Sequence, residues 1–121
     1  MNIAYFQRLA KREYNSVVEN FPDFPYSFDE VMSVFVDFFR KYERYRGETH
    51  PPIRRALIRN YIQRMPFDDD GLRCMADIDA EDYPEIITNY FKTRFKNCDY
   101  RIAHFFSGDI RLLRLYEMIY E

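Results

Sequence analysis

Apolar residues recur along this chain at three- and four-residue spacing, and no stretch alternates with period two, so the pattern predicts helices throughout. From Asn2 or Ile3 to about Glu19, Ile3, Phe6, Ala10, Tyr14, Val17, Val18 and Phe21 fall on one stripe. Arg8, Arg12, Asn15 and Glu19 lie opposite it, and Glu13 is counted with that polar side. Acids mixed among the basic residues make this a poor membrane-surface helix, so its stripe is expected to pack on the rest of the chain. Phe21-Pro22-Asp23-Phe24-Pro25-Tyr26 then forms a stiff connector, because each proline holds its predecessor extended. Its aromatics are expected to lid the core.

The second helix has the clearest start. Ser27-Phe28-Asp29-Glu30 is a capping box, in which the Ser27 and Glu30 side chains each accept from the other's backbone amide. The helix should run to Arg46 and stop at Gly47. Phe28, Val31, Met32, Val34, Phe35, Val36, Phe38, Phe39, Tyr42 and Tyr45 cover far more of its circumference than a surface helix needs. Residues 28–45 are therefore read as a central helix with neighbours on more than one side.

His50-Pro51-Pro52 opens a third helix over 52–65, with Ile53, Leu57, Ile58, Tyr61, Ile62 and Met65 inward and Arg55, Arg59 and Gln63 outward, ended by Pro66. Asp68-Asp69-Asp70-Gly71 leads into a short helix through Met75 and Ile78. The fifth helix starts at Asp82, with Pro84 in its first turn and Glu85 completing a capping pattern. Asn97-Cys98-Asp99 is a turn, Asp99 caps a short helix through Phe106, and Gly108 to Glu121 is helical again. The expectation is an all-α fold: one compact domain, residues 1–121, of about six helices around the aromatic-rich helix 28–45.

Composition supports a packed chain. It has 12 Phe, 11 Tyr, no Trp and only 3 Gly in 121 residues, which excludes disorder. The length suffices for one core without disulfides or metals. Cys74 and Cys98 form no C-x-x-C pair. No apolar run reaches the roughly 18 residues of a membrane span, and the N-terminus lacks the apolar stretch of a signal peptide, so the expected compartment is the cytoplasm.

Charge is blocked beneath a net −2. Residues 51–66 carry four arginines and no acid, 67–91 carry eight acids against Arg73, and 92–114 carry six basic residues against two acids. Neutralisation within the fold is the simplest outcome; a polarised surface for a charged partner is the other.

The chemistry-bearing motifs are weak. Asp68, Asp69, Asp70, Asp77, Asp79, Glu81 and Asp82 would suit a hard cation in number, but around Gly71 their order does not fit an EF-hand, and helix capping explains them. His50, His104, Cys74 and Cys98 match no zinc spacing. His104 lies near Ser107 and Asp109 without a Gly-x-Ser-x-Gly elbow, and three residues on one local turn rarely converge on a substrate. No enzyme, cofactor or metal is expected.

Two binding readings remain. Residues 99–120 have the outline of a helix-turn-helix, with Arg111 and Arg114 facing outward, Arg101 available for phosphate, and Arg55 and Arg59 of helix 52–65 as further contacts for nucleic acid. Glu117 and Glu121 on the same face weaken it. The preferred reading is a non-catalytic protein-binding or assembly module, with a partner protein or a second copy meeting an aromatic patch drawn from Tyr42, Tyr45, Tyr100, Tyr116 and Tyr120. Eleven tyrosines exceed what a core of this size is expected to absorb, because each buried hydroxyl needs a partner; simple packing at the core boundary is the equal alternative for these rings.

Overall fold

The capping box forms as the sequence dictates. Ser27 Oγ accepts from the Glu30 amide at 3.1 Å and Glu30 Oε1 accepts from the Ser27 amide at 2.9 Å. The computed structural model describes residues 1–69, 75–108 and 110–120, with side chains described for all of these except 68, 69, 75–77 and 116–120. Helix α2 spans Phe28–Arg46 and ends where Gly47 takes a left-handed conformation, φ 75°, which a residue with a side chain adopts only under strain. Around α2 are α1 (Ile3–Asn20), α3 (Arg55–Arg64), α4 (Tyr83–Lys92), α5 (Ile102–Phe105) and α6 (Ile110–Tyr120). Among the described residues these six helices pack into an all-α single domain.

Helix α1 packs chiefly on α3, α4 on α6, and α2 on both α4 and α1. Val31, Val34, Phe35, Phe38, Phe39 and Tyr42 of α2 are buried, which makes it the central helix. Phe38 is the hub: its ring lies 5.1 Å from those of Phe91 and Phe105 and about 6 Å from those of Tyr90 and His50.

Four local expectations are corrected. Helix α3 begins at Arg55 rather than 52, the chain being still extended at its N-cap Arg54 (ψ 142°). The short helix expected through Met75 and Ile78 is replaced by an antiparallel ribbon, β1 (Phe67–Asp69) and β2 (Met75–Asp77), in which Phe67 faces Asp77 and Asp69 faces Met75. Asp82 makes no side-chain cap, since a 3-10 turn at Ala80–Asp82 already leads the chain into α4. Asp99 accepts from the Arg101 amide but lies two residues before the N-cap position, which Arg101 holds, and α5 is a single turn of four residues.

The C-terminus of α3 shows how the core handles polar groups. A helix leaves its last carbonyls without partners. The Met65 carbonyl accepts from the hydroxyls of Tyr83 (2.6 Å) and Tyr26 (3.3 Å), and the Arg64 carbonyl accepts from Arg111 Nη1 (2.7 Å). The Tyr26 hydroxyl also donates to the Ile78 carbonyl. Side chains from the connector, α4 and α6 thus converge on one helix end.

Candidate functional sites

The arginines expected to face a polyanion divide into two groups. Arg111 is 0% exposed and Arg114 8%. The expectation that they point outward is overturned. Arg111 donates to Arg64 O and to the Tyr83 hydroxyl (3.0 Å) and lies over the Phe106 ring, and Arg114 lies over the Phe95 ring. With α5 reduced to one turn, the segment also lacks the first helix of a helix-turn-helix. Arg101 is exposed, with Asp99 at 3.8 Å.

Arg55 and Arg59 remain about half exposed, but each donates its Nε–H to Glu13, at 2.8 and 2.6 Å. Glu13 was counted with the polar face of α1 and is instead 2% exposed. Its position one turn from Ala10 and Val17 puts it on the face that meets α3, where two guanidiniums supply the charge a buried carboxylate requires. Burial pushes the Glu13 carboxyl up; the hydrogen bonds from Arg55 and then Arg59, with their charges, outweigh this and hold it below the usual carboxylate range. The three side chains and Ala56 line an open recess of about 410 Å³.

His50 is a second buried titratable group. Its Nδ1–H donates to the Pro51 carbonyl at 2.7 Å and its Nε2 accepts from the Ile102 amide at 3.1 Å, so the neutral ring is fully engaged. Burial lowers its proton affinity below the ordinary value of 6.5. Both groups make the fold acid-sensitive, with the same sign. As pH falls below 6.5 the unfolded chain protonates His50 before the folded one does, so stability declines. The Glu13 contribution is present above its ordinary 4.5 and is lost as pH falls through the lower folded value. Urea midpoints measured from neutral pH downward should therefore show an early decline that His50→Gln removes and a later one that Glu13→Gln makes shallower.

The tyrosines are mostly internal pins, which corrects the expectation of an exposed set. Tyr42 is buried and donates to Glu48 Oε1 at 2.9 Å. Tyr100 is half-buried and donates to the Thr93 carbonyl at 2.6 Å. Tyr14 donates to the Tyr26 carbonyl at 2.7 Å. Only Tyr45 of the named five is seen exposed, at 40%, with its ring stacked on Phe91; the side chains of Tyr116 and Tyr120 lie outside the described residues. The core absorbs these rings by giving their hydroxyls backbone carbonyls or acids to bond.

The connector supplies a surface the spacing did not reveal. Tyr26 does lid the core, but Phe21 is 55% exposed. Val17, Phe21, Phe24, Pro25 and Phe67, with Asp23 and Gln63, line a recess of about 250 Å³. A second recess of about 450 Å³ adjoins it through shared Pro25 and Phe67, and carries Glu30, Asp79 and Glu81. An apolar slot thus runs into an acidic one. Phe21 stays outside because it is the C-cap of α1, past the last turn whose stripe meets the core.

Of the His104–Ser107–Asp109 grouping that the sequence reading discounts, Ser107 Oγ donates to the His104 carbonyl, not its ring, and Asp109 lies outside the described residues. The ring faces Cys98 and Tyr90 instead. Among the described residues no three His, Cys, Asp or Glu side chains are grouped to hold a metal, and no helix is long and apolar enough to cross a membrane. Asp68, Asp69, Asp70 and Asp77 fall outside the described side chains.

No protein-family model, curated protein or solved structure matches the chain.

Proposed function

We propose that this chain is a non-catalytic protein-binding module whose partner presents an apolar side chain flanked by basic residues. The observation that supports this is the junction of the two recesses at Pro25 and Phe67: apolar walls at the Phe21 end, carboxylates at the Asp79 and Glu81 end. Burying one large apolar side chain in such a slot is worth about 1.5–3 kcal/mol, and facing charges set the orientation and speed of docking. The slot is pre-formed by Pro22 and Pro25, whose fixed backbone reduces the ordering a partner must impose.

The test is selection from a displayed peptide library against the full chain. The expected winners carry an apolar anchor beside Lys or Arg, lose at least about tenfold in affinity on Phe21→Glu, and weaken with salt in a manner that Asp79→Asn reduces. Phe21 is exposed, so its substitution leaves the core intact. Winners that bind Phe21→Glu equally well would refute the reading. The second reading, a polyanion at the Arg55/Arg59 recess, rests on those two half-exposed guanidiniums. Binding of a random DNA duplex at physiological salt that Arg55→Ala and Arg59→Ala abolish would put it first.

A further inference from the structure

The loop between α4 and α5 assembles a nucleophile, a base and an orienting group that the sequence keeps apart. Cys98 Sγ lies 3.3 Å from His104 Nδ1, and the Tyr90 hydroxyl lies 2.8 Å from the same nitrogen. The Tyr100 amide donates to Sγ at 3.2 Å, and the Tyr90 hydroxyl is 3.8 Å from it. Two residues flanking the cysteine, Asn97 (φ 54°) and Tyr100 (φ 58°), are in the left-handed region without being glycine, a cost of order 1–3 kcal/mol each that the surrounding contacts must sustain. Tyr100 sustains it by donating to the Thr93 carbonyl and accepting from the Phe95 amide.

The proton inventory gives the pair a direction. Burial, and then the neighbouring Cys98, hold the Tyr90 hydroxyl protonated well above the ordinary tyrosine range. Its hydrogen goes to His104 Nδ1, since 2.8 Å is a good O–H···N distance and 3.8 Å to sulfur is long. In the neutral ring Nδ1 is therefore the bare nitrogen, and it is that nitrogen which faces the thiol. Phe95 packs edge-on against the imidazole, 4.8 Å between ring centres, and holds its plane. Cys98 and His104 are each only half-buried, so the pair sits at the edge of the core and not deep within it.

We infer that Cys98 is a nucleophilic thiol assisted by His104, and that it exchanges with low-molecular-weight disulfides to form a mixed disulfide. The thiol proton passes to Nδ1 as the Tyr90 hydroxyl turns its own hydrogen from that nitrogen to Sγ, leaving sulfur with hydrogen bonds from the Tyr90 hydroxyl and the Tyr100 amide. Sγ attacks one sulfur of the disulfide; the new S–S bond forms as the old one breaks, and the departing thiolate takes the proton back from the imidazolium. The net change is one thiol and one disulfide exchanged for another of each, with no further oxidant. This site is separate from the Phe21 groove, and each proposal can fail without the other.

The test uses the full chain carrying Cys74→Ser, so that Cys98 is the sole thiol. Dithiodipyridine reports the rate by the chromophoric thione it releases. The native chain is expected to react at least about tenfold faster than the same chain unfolded in urea, where an ordinary thiol at pH 7 is only a few per cent ionised. His104→Gln is expected to remove that advantage and Tyr90→Phe to reduce it, with circular dichroism confirming the fold of each. Oxidised glutathione should give a single adduct by intact mass, reversed by dithiothreitol. A native rate no faster than the unfolded rate, or a folded His104→Gln variant as fast as its parent, would overturn the inference. Should either variant fail to fold, the native-against-unfolded comparison still decides.

Discussion

Replacing Phe38 with alanine is expected to cost about 3–5 kcal/mol, the range for a fully buried aromatic. The ring is 0% exposed and touches four rings from three other segments: His50 beyond the α2 C-terminus, Tyr90 and Phe91 on α4, and Phe105 on α5. Those neighbours belong to different elements, each held by its own hydrogen bonds, so the hole left by the ring cannot close without moving several of them together. That places the loss toward the upper part of the range. Urea unfolding should show a lower midpoint with an unchanged slope. Tyr45→Ala, about two turns further along the same helix and exposed, should cost under about 1 kcal/mol by comparison. A loss at Phe38 below about 1 kcal/mol would mean that α2 is not the centre of the fold.

The centrality of α2 was legible because every signal for it is local. Ser27, Glu30 and Gly47 set its ends through contacts within four residues, and its breadth of apolar positions already implies burial on several sides. Where the reading failed, the deciding interaction was distant. Glu13 reads as polar surface until Arg55 and Arg59, more than forty positions away, neutralise it. The acidic run at 68–70 reads as a helix lead-in, and only the pairing of Phe67 with Asp77 shows a ribbon there instead. The tyrosines looked too many for the core because their acceptors are backbone carbonyls, which no composition count displays. Spacing offers Cys98 and His104 no zinc pattern and pairs His104 only with Ser107 and Asp109; the meeting of the two depends on a loop that reverses through two left-handed residues.

Arg111 separates the two histories of the C-terminal segment most sharply. If Ile110–Tyr120 were a recognition helix, Arg111→Ala would fold as well as the parent and lose affinity for DNA. The structure expects the reverse. The guanidinium is wholly buried, stacks over Phe106, and supplies one nitrogen to both the Arg64 carbonyl and the Tyr83 hydroxyl. Removing it takes the donor from a buried carbonyl at the negative end of α3, a loss of about 1–3 kcal/mol, and adds the cost of an unfilled volume beside Phe106. Arg111→Ala is therefore expected to lose about 2–4 kcal/mol in urea unfolding. Arg111→Lys should recover only part of this, since an ammonium keeps the charge but neither stacks on the ring nor presents the planar fork. The Tyr83 contact can be isolated by a double-mutant cycle: Arg111→Ala and Tyr83→Phe should lose less together than the sum of their separate losses, by at least about 0.5 kcal/mol, because they share a hydrogen bond. An Arg111→Ala protein with parental stability and weakened duplex binding would return the segment to the surface and the nucleic-acid reading to first place.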